Sequence, residues 1–449
     1  MAVWSQIAYS EAITLNRMDA EYFRPENLAD LQRLKELRPQ PLCKFAFVTD
    51  GIHASPEIAP EGGVRYLSAK CVKDNAFALA DALSITDSQN AANKRTQLRP
   101  GDVLITSVGT IGNAAVVQPD ILPANADRHL GIVRLNQDAG LDPYYVASFL
   151  NSRYGRFQSI REATGNVQLN LFIEKIKTLL VPRLPVEKAV AEATQTAYAT
   201  RRKAEELYAE AEAVLTDALG LDRVDLTPRL FYEDTYAHAA GAARFDAEYH
   251  SPRMQNVIKT LSTSGKTIGD VVTLMKRRFK AIPGKPFDYI EIADVSTAGT
   301  AGSSTVAGED APGRATWTVK PGDIITTTVR PIRRLSAIIL PEQDGFVCSS
   351  GFAVLRPRDI EPELLLTYLR LPLVAELLDL YTTASMYPAI STADLLRIPL
   401  QIPDERTRTT IASMVRVSLA ARAESISLLD EAKNMVENAI VPLQSHIQT

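Results

Sequence analysis

The sequence predicts a mixed α/β (α+β) protein made of two tandem domains, each followed by a long helix, the two helices pairing as a coiled coil. Three observations predict it: an internal repeat, the same order of β-like runs in both copies, and a heptad seam in each long helical stretch.

The repeat sets the frame. Arg17-Met-Asp-Ala-Glu-Tyr-Phe-Arg-Pro25 returns as Arg244-Phe-Asp-Ala-Glu-Tyr-His-Ser-Pro252, 227 residues later. Four further echoes keep the order: residues 66–72 with 289–295, Arg99-Pro-Gly-Asp102 with Lys320-Pro-Gly-Asp323, Leu141-Asp-Pro143 with Ile360-Glu-Pro362, and Val181-Pro182 with Ile398-Pro399. The offset drifts to 217, as loops of unequal length require. Runs rich in Val, Ile, Tyr and Thr with Gly and Pro punctuation read as strands. They are residues 64–69, 102–108 and 129–135 in one copy, and 287–295, 323–329 and 352–357 in the other. A short helix follows each acid–proline pair (143–152 and 362–370), then a pair of prolines and a long helix.

The long segments carry the clearest periodicity. Val190, Ala193, Ala197, Thr200, Ala204, Leu207, Ala211, Val214 and Ala218 step by three and four without a break. Ile411, Met414, Ser418, Ala421, Ser425, Leu428, Ala432, Met435 and Ala439 do the same. Such a seam specifies a coiled coil, and its small residues allow close approach. Asp404 suits a helix cap and Gly220 a helix stop.

At 449 residues the chain exceeds one ordinary core. No apolar run approaches the ~18 residues of a bilayer span. The first residues lack the basic and apolar blocks of a signal peptide. Cys43, Cys71 and Cys348 are too far apart for a disulfide framework or a metal-ligand spacing. A cytoplasmic protein with no membrane partner is expected. Net charge is −4, which does not favour a nucleic-acid binder working alone. Yet Arg314 to Arg358 holds seven basic residues against three acids, a local +4.

Motifs for catalysis are scarce. Asp142-Pro-Tyr-Tyr145 is similar to the Asp-Pro-Pro-Tyr loop with which amino-methyltransferases hold a target nitrogen. The second copy has Glu361-Pro-Glu-Leu364 there, so a helix cap with a first-turn proline explains both. Gly109-Thr-Ile-Gly112 lacks the lysine and third glycine of a phosphate loop and becomes Arg330-Pro-Ile-Arg333 in the second copy. His53, His129, His238, His250 and His446 are scattered, and no acid at metal spacing is read beside them, so no metal, cofactor or catalytic residue is expected.

The basic clusters are more informative. They are Lys94 and Arg95 beside Asn93; Arg161, Asn166, Gln168, Asn170 and Lys175; Lys276, Arg277, Arg278 and Lys280; and Arg330, Arg333 and Arg334. Thr110, Asn113 and Tyr387 complete the candidate set. Arg and Lys on loops suit phosphates, and Arg, Asn and Gln can pair bidentately with base edges, so these residues are expected to contact DNA.

At this point the chain resembles the specificity (S) subunits of type I restriction–modification systems. The resemblance rests on Arg99-Pro-Gly-Asp-Val-Leu104, Thr164-Gly-Asn-Val-Gln-Leu-Asn-Leu171, Ile176-Lys177, Val181-Pro-Arg-Leu-Pro185, Lys320-Pro-Gly-Asp-Ile-Ile325 and Thr328-Val-Arg-Pro331, in duplicated order. It departs from the family where the second copy has Ser385-Met-Tyr-Pro388, and where Glu187-Lys188 and Glu405-Arg406 stand in place of a glutamine. The resemblance implies target-recognition domains at 17–185 and 244–403, spacer helices at 186–220 and 404–449 running antiparallel, an N-terminal segment at 1–16 and a connector at 221–243. It implies double-stranded DNA with a bipartite site, two methyltransferase (M) subunits carrying S-adenosylmethionine, and a restriction–translocase (R) subunit as partners in phage defence. This chain itself would bind no cofactor. A helix of ~33 residues spans roughly 50 Å, so half-sites about one to one and a half turns apart are expected. Two rival classes are a stand-alone DNA methyltransferase with degenerate motifs and a coiled-coil scaffold without a DNA role.

Overall fold

The computed structural model describes residues 4–15, 17–60, 62–165, 167–383 and 386–441. Asn166, Ser385 and His446 therefore lie outside the described residues. The chain divides into two units, residues 1–200 with 424–449 and residues 201–423.

In unit 1 a four-stranded antiparallel sheet has the order Ala46–Asp50, Leu130–Leu135, Val103–Thr106, Ala114–Val116. In unit 2 the order is Val272–Met275, Phe352–Pro357, Ile324–Thr327, Ser336–Ile338, again antiparallel throughout. The strands are apolar on both faces because both faces are covered. Val103 and Ile105 join the core formed with helix Pro143–Asn151, while Leu104 between them joins a second core with Leu67 and Ala126. Ile324 and Ile325 divide the same way in unit 2. This is the period of two that a pleated strand imposes. Each unit adds a second sheet with one parallel pair, Val64–Leu67 with Ala124–Ala126 and Phe287–Ile290 with Val347–Ser349. The sequence repeat is thus a repeat of topology.

The Pro-Gly-Asp echo has a structural cause. Gly101 (φ +85°) and Gly322 (φ +79°) turn the chain through the left-handed region. The aspartate that follows is buried in both units and accepts the N–H two residues before the glycine, from Arg99 and Lys320, each at 2.8 Å. Asp102 is then gripped by Arg134 at 2.8 and 2.6 Å, and Asp323 by Arg356 at 2.6 Å. Arg277 also pairs with Asp323. Each pair ties the turn to the neighbouring central strand.

The long helices run Glu187–Ala218 and Glu405–Ile440. Asp404 caps the second, accepting the Thr407 N–H at 3.1 Å, and Gly220 (φ +69°) follows the end of the first. The helices pair antiparallel. The Ser425 hydroxyl donates to the Ala197 carbonyl at 2.8 Å, and seven residues back the Ser418 hydroxyl donates to the Ala204 carbonyl at 2.6 Å, seven residues on. A side chain as short as serine reaches a backbone only when the facing residue is as small as alanine.

Half of the expected seam is displaced. Val190, Ala197, Ala204, Ala211, Ile411, Ser418, Ser425 and Ala432 are buried as the heptad reading expects. Their partners Ala193, Thr200, Leu207, Val214, Met414, Ala421, Leu428 and Met435 are only half-buried. The next residues, Thr194, Tyr208, Leu215, Val415, Leu429 and Val436, are buried in their place. Residues 187–200 and 424–440 also pack on the domain of unit 1, and residues 201–218 and 405–423 on that of unit 2, so the buried stripe widens past a strict coiled-coil seam. Thr194 shows the second contact: its hydroxyl bonds Ser148 of helix Pro143–Asn151 at 2.8 Å.

Candidate nucleic-acid interface

In each unit two loops are stitched side by side beyond the end of a central strand. In unit 1 the loop after Val103–Thr106 meets the turn after helix Arg153–Glu162. The Leu171 N–H donates to the Ser107 carbonyl at 2.8 Å, and Val108 bridges Asn170. In unit 2 the loop after Ile324–Thr327 meets the turn after helix Pro372–Leu380. The Ile390 N–H donates to the Thr328 carbonyl at 2.9 Å, and Val329 bridges Ala389.

The first loop of each pair begins and ends in the left-handed region. Glycines hold those positions in unit 1, Gly109 (φ +76°) and Gly112 (φ +82°). Arginines hold them in unit 2, Arg330 (φ +49°) and Arg334 (φ +57°). A left-handed non-glycine residue costs roughly 1–2 kcal/mol. Contacts offset that cost at Arg330. Its N–H donates to the Pro388 carbonyl at 2.8 Å, its guanidinium to the Met386 carbonyl at 3.2 Å, and it lies 5.6 Å from the Tyr387 ring. The exposed tip in unit 2 thus joins Arg330, Arg333 and Tyr387. In unit 1 the corresponding exposed residues are Thr110, Val167, Gln168 and Leu169. Thr164 and Asn170 exchange backbone hydrogen bonds at 2.9 and 2.8 Å, which holds the turn bearing Gln168 outward.

The duplicated Arg-x-Asp-Ala-Glu-Tyr motif braces the helix before each turn. Arg17 grips Asp19, stacks over Tyr22 and donates to the Arg161 carbonyl at 3.4 Å. Arg244 grips Asp246, stacks over Tyr249 and donates to the Leu380 carbonyl at 2.9 Å. The arginine hydrogen bonds hold the Asp19 and Asp246 carboxyls below the usual aspartate range.

A second basic surface lies in unit 2. Residues 276–280 run alongside strand Ala315–Thr318, with Phe279 N–H donating to Thr316 and Thr318 N–H to Arg277. Side chains alternate, so Lys276, Arg278 and Lys280 face solvent. Arg278 lies over Trp317 at 5.8 Å. Lys276, Arg278, Trp317, Phe352 and Thr392 line a recess of about 330 Å³. Trp317 escaped the sequence reading. The alternation of Lys276 to Lys280 was the available signal.

Four candidates turn inward. Arg161 is buried, 3.6 Å from the Tyr22 ring centre, and donates to the Tyr22 carbonyl at 2.9 Å. Asn113 is buried and donates to the Val72 carbonyl at 3.3 Å. Arg277 is spent on Asp323 and the Thr318 carbonyl. Arg334 is half-buried and donates to the Arg370 carbonyl at 3.3 Å. Lys94 and Arg95 are exposed on a short 3-10 turn, with Arg95 3.4 Å from Asp50, and Lys175 pairs with Glu162 at 2.9 Å. Asp142 caps its helix by accepting the Tyr144 N–H at 2.8 Å, and Tyr145 is fully buried, donating to the Pro182 carbonyl at 2.7 Å. Contrary to the expectation of scattered histidines with no acid at metal spacing, Asp234 stands four residues before His238, and the two meet His250.

The chain is therefore a duplicated α/β protein with paired loop tips and two long antiparallel helices. It is similar to S subunits of type I restriction–modification systems among solved structures. One is the S subunit from M. genitalium, 12% identical, covering 90% of this chain and 96% of that one at a TM-score of 0.38. Another is the HsdS subunit from Thermoanaerobacter tengcongensis, 16% identical, with 90% and 96% covered and a TM-score of 0.29. A third comes from a study of type I R-M complex assembly and conformational transition, 17% identical, with 89% and 96% covered and a TM-score of 0.29. No family model and no curated protein matches the chain.

Proposed function

We propose that this chain is the sequence-reading subunit of a DNA methylation or restriction assembly, each unit reading one half of a split site. One observation carries the reading: the same stitched pair of loops occurs in both units on the same scaffold, with different side chains at its tip. Thr110 and Gln168 can exchange hydrogen bonds with base edges, whereas Arg330 and Arg333 suit guanine or phosphate. A shared frame with divergent tips is what two readers of unlike half-sites need. The long helices act as the spacer between them. Catalysis belongs to partners: two methyltransferase subunits binding S-adenosylmethionine, with a nuclease–translocase as a further subunit. The capping role of Asp142 and the burial of Tyr145 leave the one methyltransferase-like motif with a structural explanation.

Replacing residues 17–185 by the corresponding domain of a chain with another specificity should change one half of the motif methylated by the reconstituted assembly. Methylome sequencing reads the outcome, and a change in both halves, or in neither, rejects the modular reading.

A further inference from the structure

Asp234, His238 and His250 belong to neither loop tip, and their side chains converge. His238 Nδ1 lies 2.6 Å from Asp234 Oδ2, and His250 Nδ1 contacts the same oxygen. The three candidate ligand atoms all lie within 4.8 Å of one another. On its far side, His250 Nε2 stands 2.7 Å from the Arg244 carbonyl. A carbonyl only accepts, so Nε2 carries a proton there. In the neutral ring Nδ1 then presents a lone pair toward the carboxylate. A proton or a metal ion can fill the space between that lone pair and the carboxylate. A second imidazole directs its own Nδ1 at the same oxygen, so two ring nitrogens and a carboxylate converge on one point. One divalent ion can serve all three donors.

We propose that Asp234, His238 and His250 form a binding site for a zinc-class divalent ion. Two imidazoles and a carboxylate suit zinc and its late transition-metal neighbours, whereas magnesium and calcium prefer oxygen sets. A tetrahedral ion with bonds of about 2.0 Å separates its donors by ~3.3 Å, so these side chains need only small movements apart. The His250–carbonyl bond is the outer contact that fixes the tautomer and orientation of a ligating histidine. Asp234 precedes Thr235, the cap of helix Tyr236–Ala242, and meets His238 in the first turn of that helix. His250 closes the Arg244–His250 motif, and its counterpart in the first copy is Phe23. The site therefore exists once per chain. The ion would fasten the connector to the start of the second copy.

The test uses the untagged full-length chain and zinc chloride. Titration should give one tightly bound zinc per chain that survives gel filtration, and cobalt(II) should develop the visible d–d bands of a tetrahedral site. A large excess of magnesium should not displace either. His238→Ala and Asp234→Asn should lose the zinc and the cobalt spectrum. Zinc should also slow tryptic cleavage at Arg229 and Arg244 in the parent chain but not in His238→Ala. His238 is partly exposed, so its removal spares the core. His250→Phe supplies the residue that the first copy uses. A parent chain that binds no zinc overturns the proposal, as does a His238→Ala chain that binds it as tightly as the parent.

Discussion

Asp102 and Asp323 are buried carboxylates whose charge is matched entirely inside the protein. Breaking such a pair from one side leaves an uncompensated charge, which costs about 3–5 kcal/mol. Arg134→Ala should therefore destabilise unit 1 by that amount in urea unfolding, and a loss under ~1 kcal/mol contradicts the role given to it. Arg330 tests the opposite case, an exposed cation in a conformation that favours glycine. Arg330→Gly should leave stability within about 1 kcal/mol of the parent, since relieved strain and lost contacts oppose each other. It should still weaken DNA binding by the assembly roughly tenfold and lower its salt dependence. Unchanged affinity would remove Arg330 from the interface. The Arg17–Asp19 and Arg244–Asp246 pairs make a pH prediction. Their carboxyls are depressed, so the stability they add is present above the unfolded aspartate value of about 3.9 and is lost as pH falls through the lower folded value. Hydrogen exchange at residues 17–25 and 244–252 should accelerate below that point, and faster exchange already at neutral pH would contradict it.

The elements were legible to different degrees. Strands and short helices follow from Val, Ile and Tyr runs and from acid–proline starts, because those signals are local. The long helices were legible in extent, and Asp404 and Gly220 marked their ends. Their buried face was legible only in part. The heptad reading finds Ala197 and Ser425 but prefers Leu207 and Met414 to Tyr208 and Val415, since the sequence does not say that each helix also packs on both domains. Loop tips were the least legible. Arg161 and Arg277 look like surface cations in sequence and are drawn inward by Tyr22 and by Asp323, partners 139 and 46 residues away. The close helix approach predicts that Ala204→Leu overfills the seam and costs about 1–3 kcal/mol. Ser418→Ala, which removes one hydrogen bond, should cost about 1 kcal/mol. A cost well under about 1 kcal/mol for Ala204→Leu would show that the backbones are not in close contact there.

For the whole molecule the long helices offer a direct experiment on the proposed spacer. The boundary between units falls at residues 200/201 in one helix and 423/424 in the other. Both serine–alanine bonds lie clear of those points, one in each unit. Inserting one heptad at both points preserves the pairing register of each unit. Seven residues add about 10 Å of helix, or roughly three base pairs. The methylated motif should keep both halves and gain about three unread positions. A motif with its original spacing would reject the spacer role.

Unit 2 is one continuous stretch of chain, whereas unit 1 needs residues 424 onward. Ala432, Val436 and Ile440 pack into the same core as Val190 and Ala191. Lys433 reaches Asp74 at 3.0 Å, and Glu437 accepts the Arg153 N–H at 2.7 Å. During synthesis the first unit must therefore wait, with part of its apolar surface uncovered, while about 240 further residues emerge from the ribosome. At ~5–20 residues per second that wait lasts roughly 12–50 s. The domain made first is the one finished last, so nascent or truncated chains would depend on chaperones through unit 1.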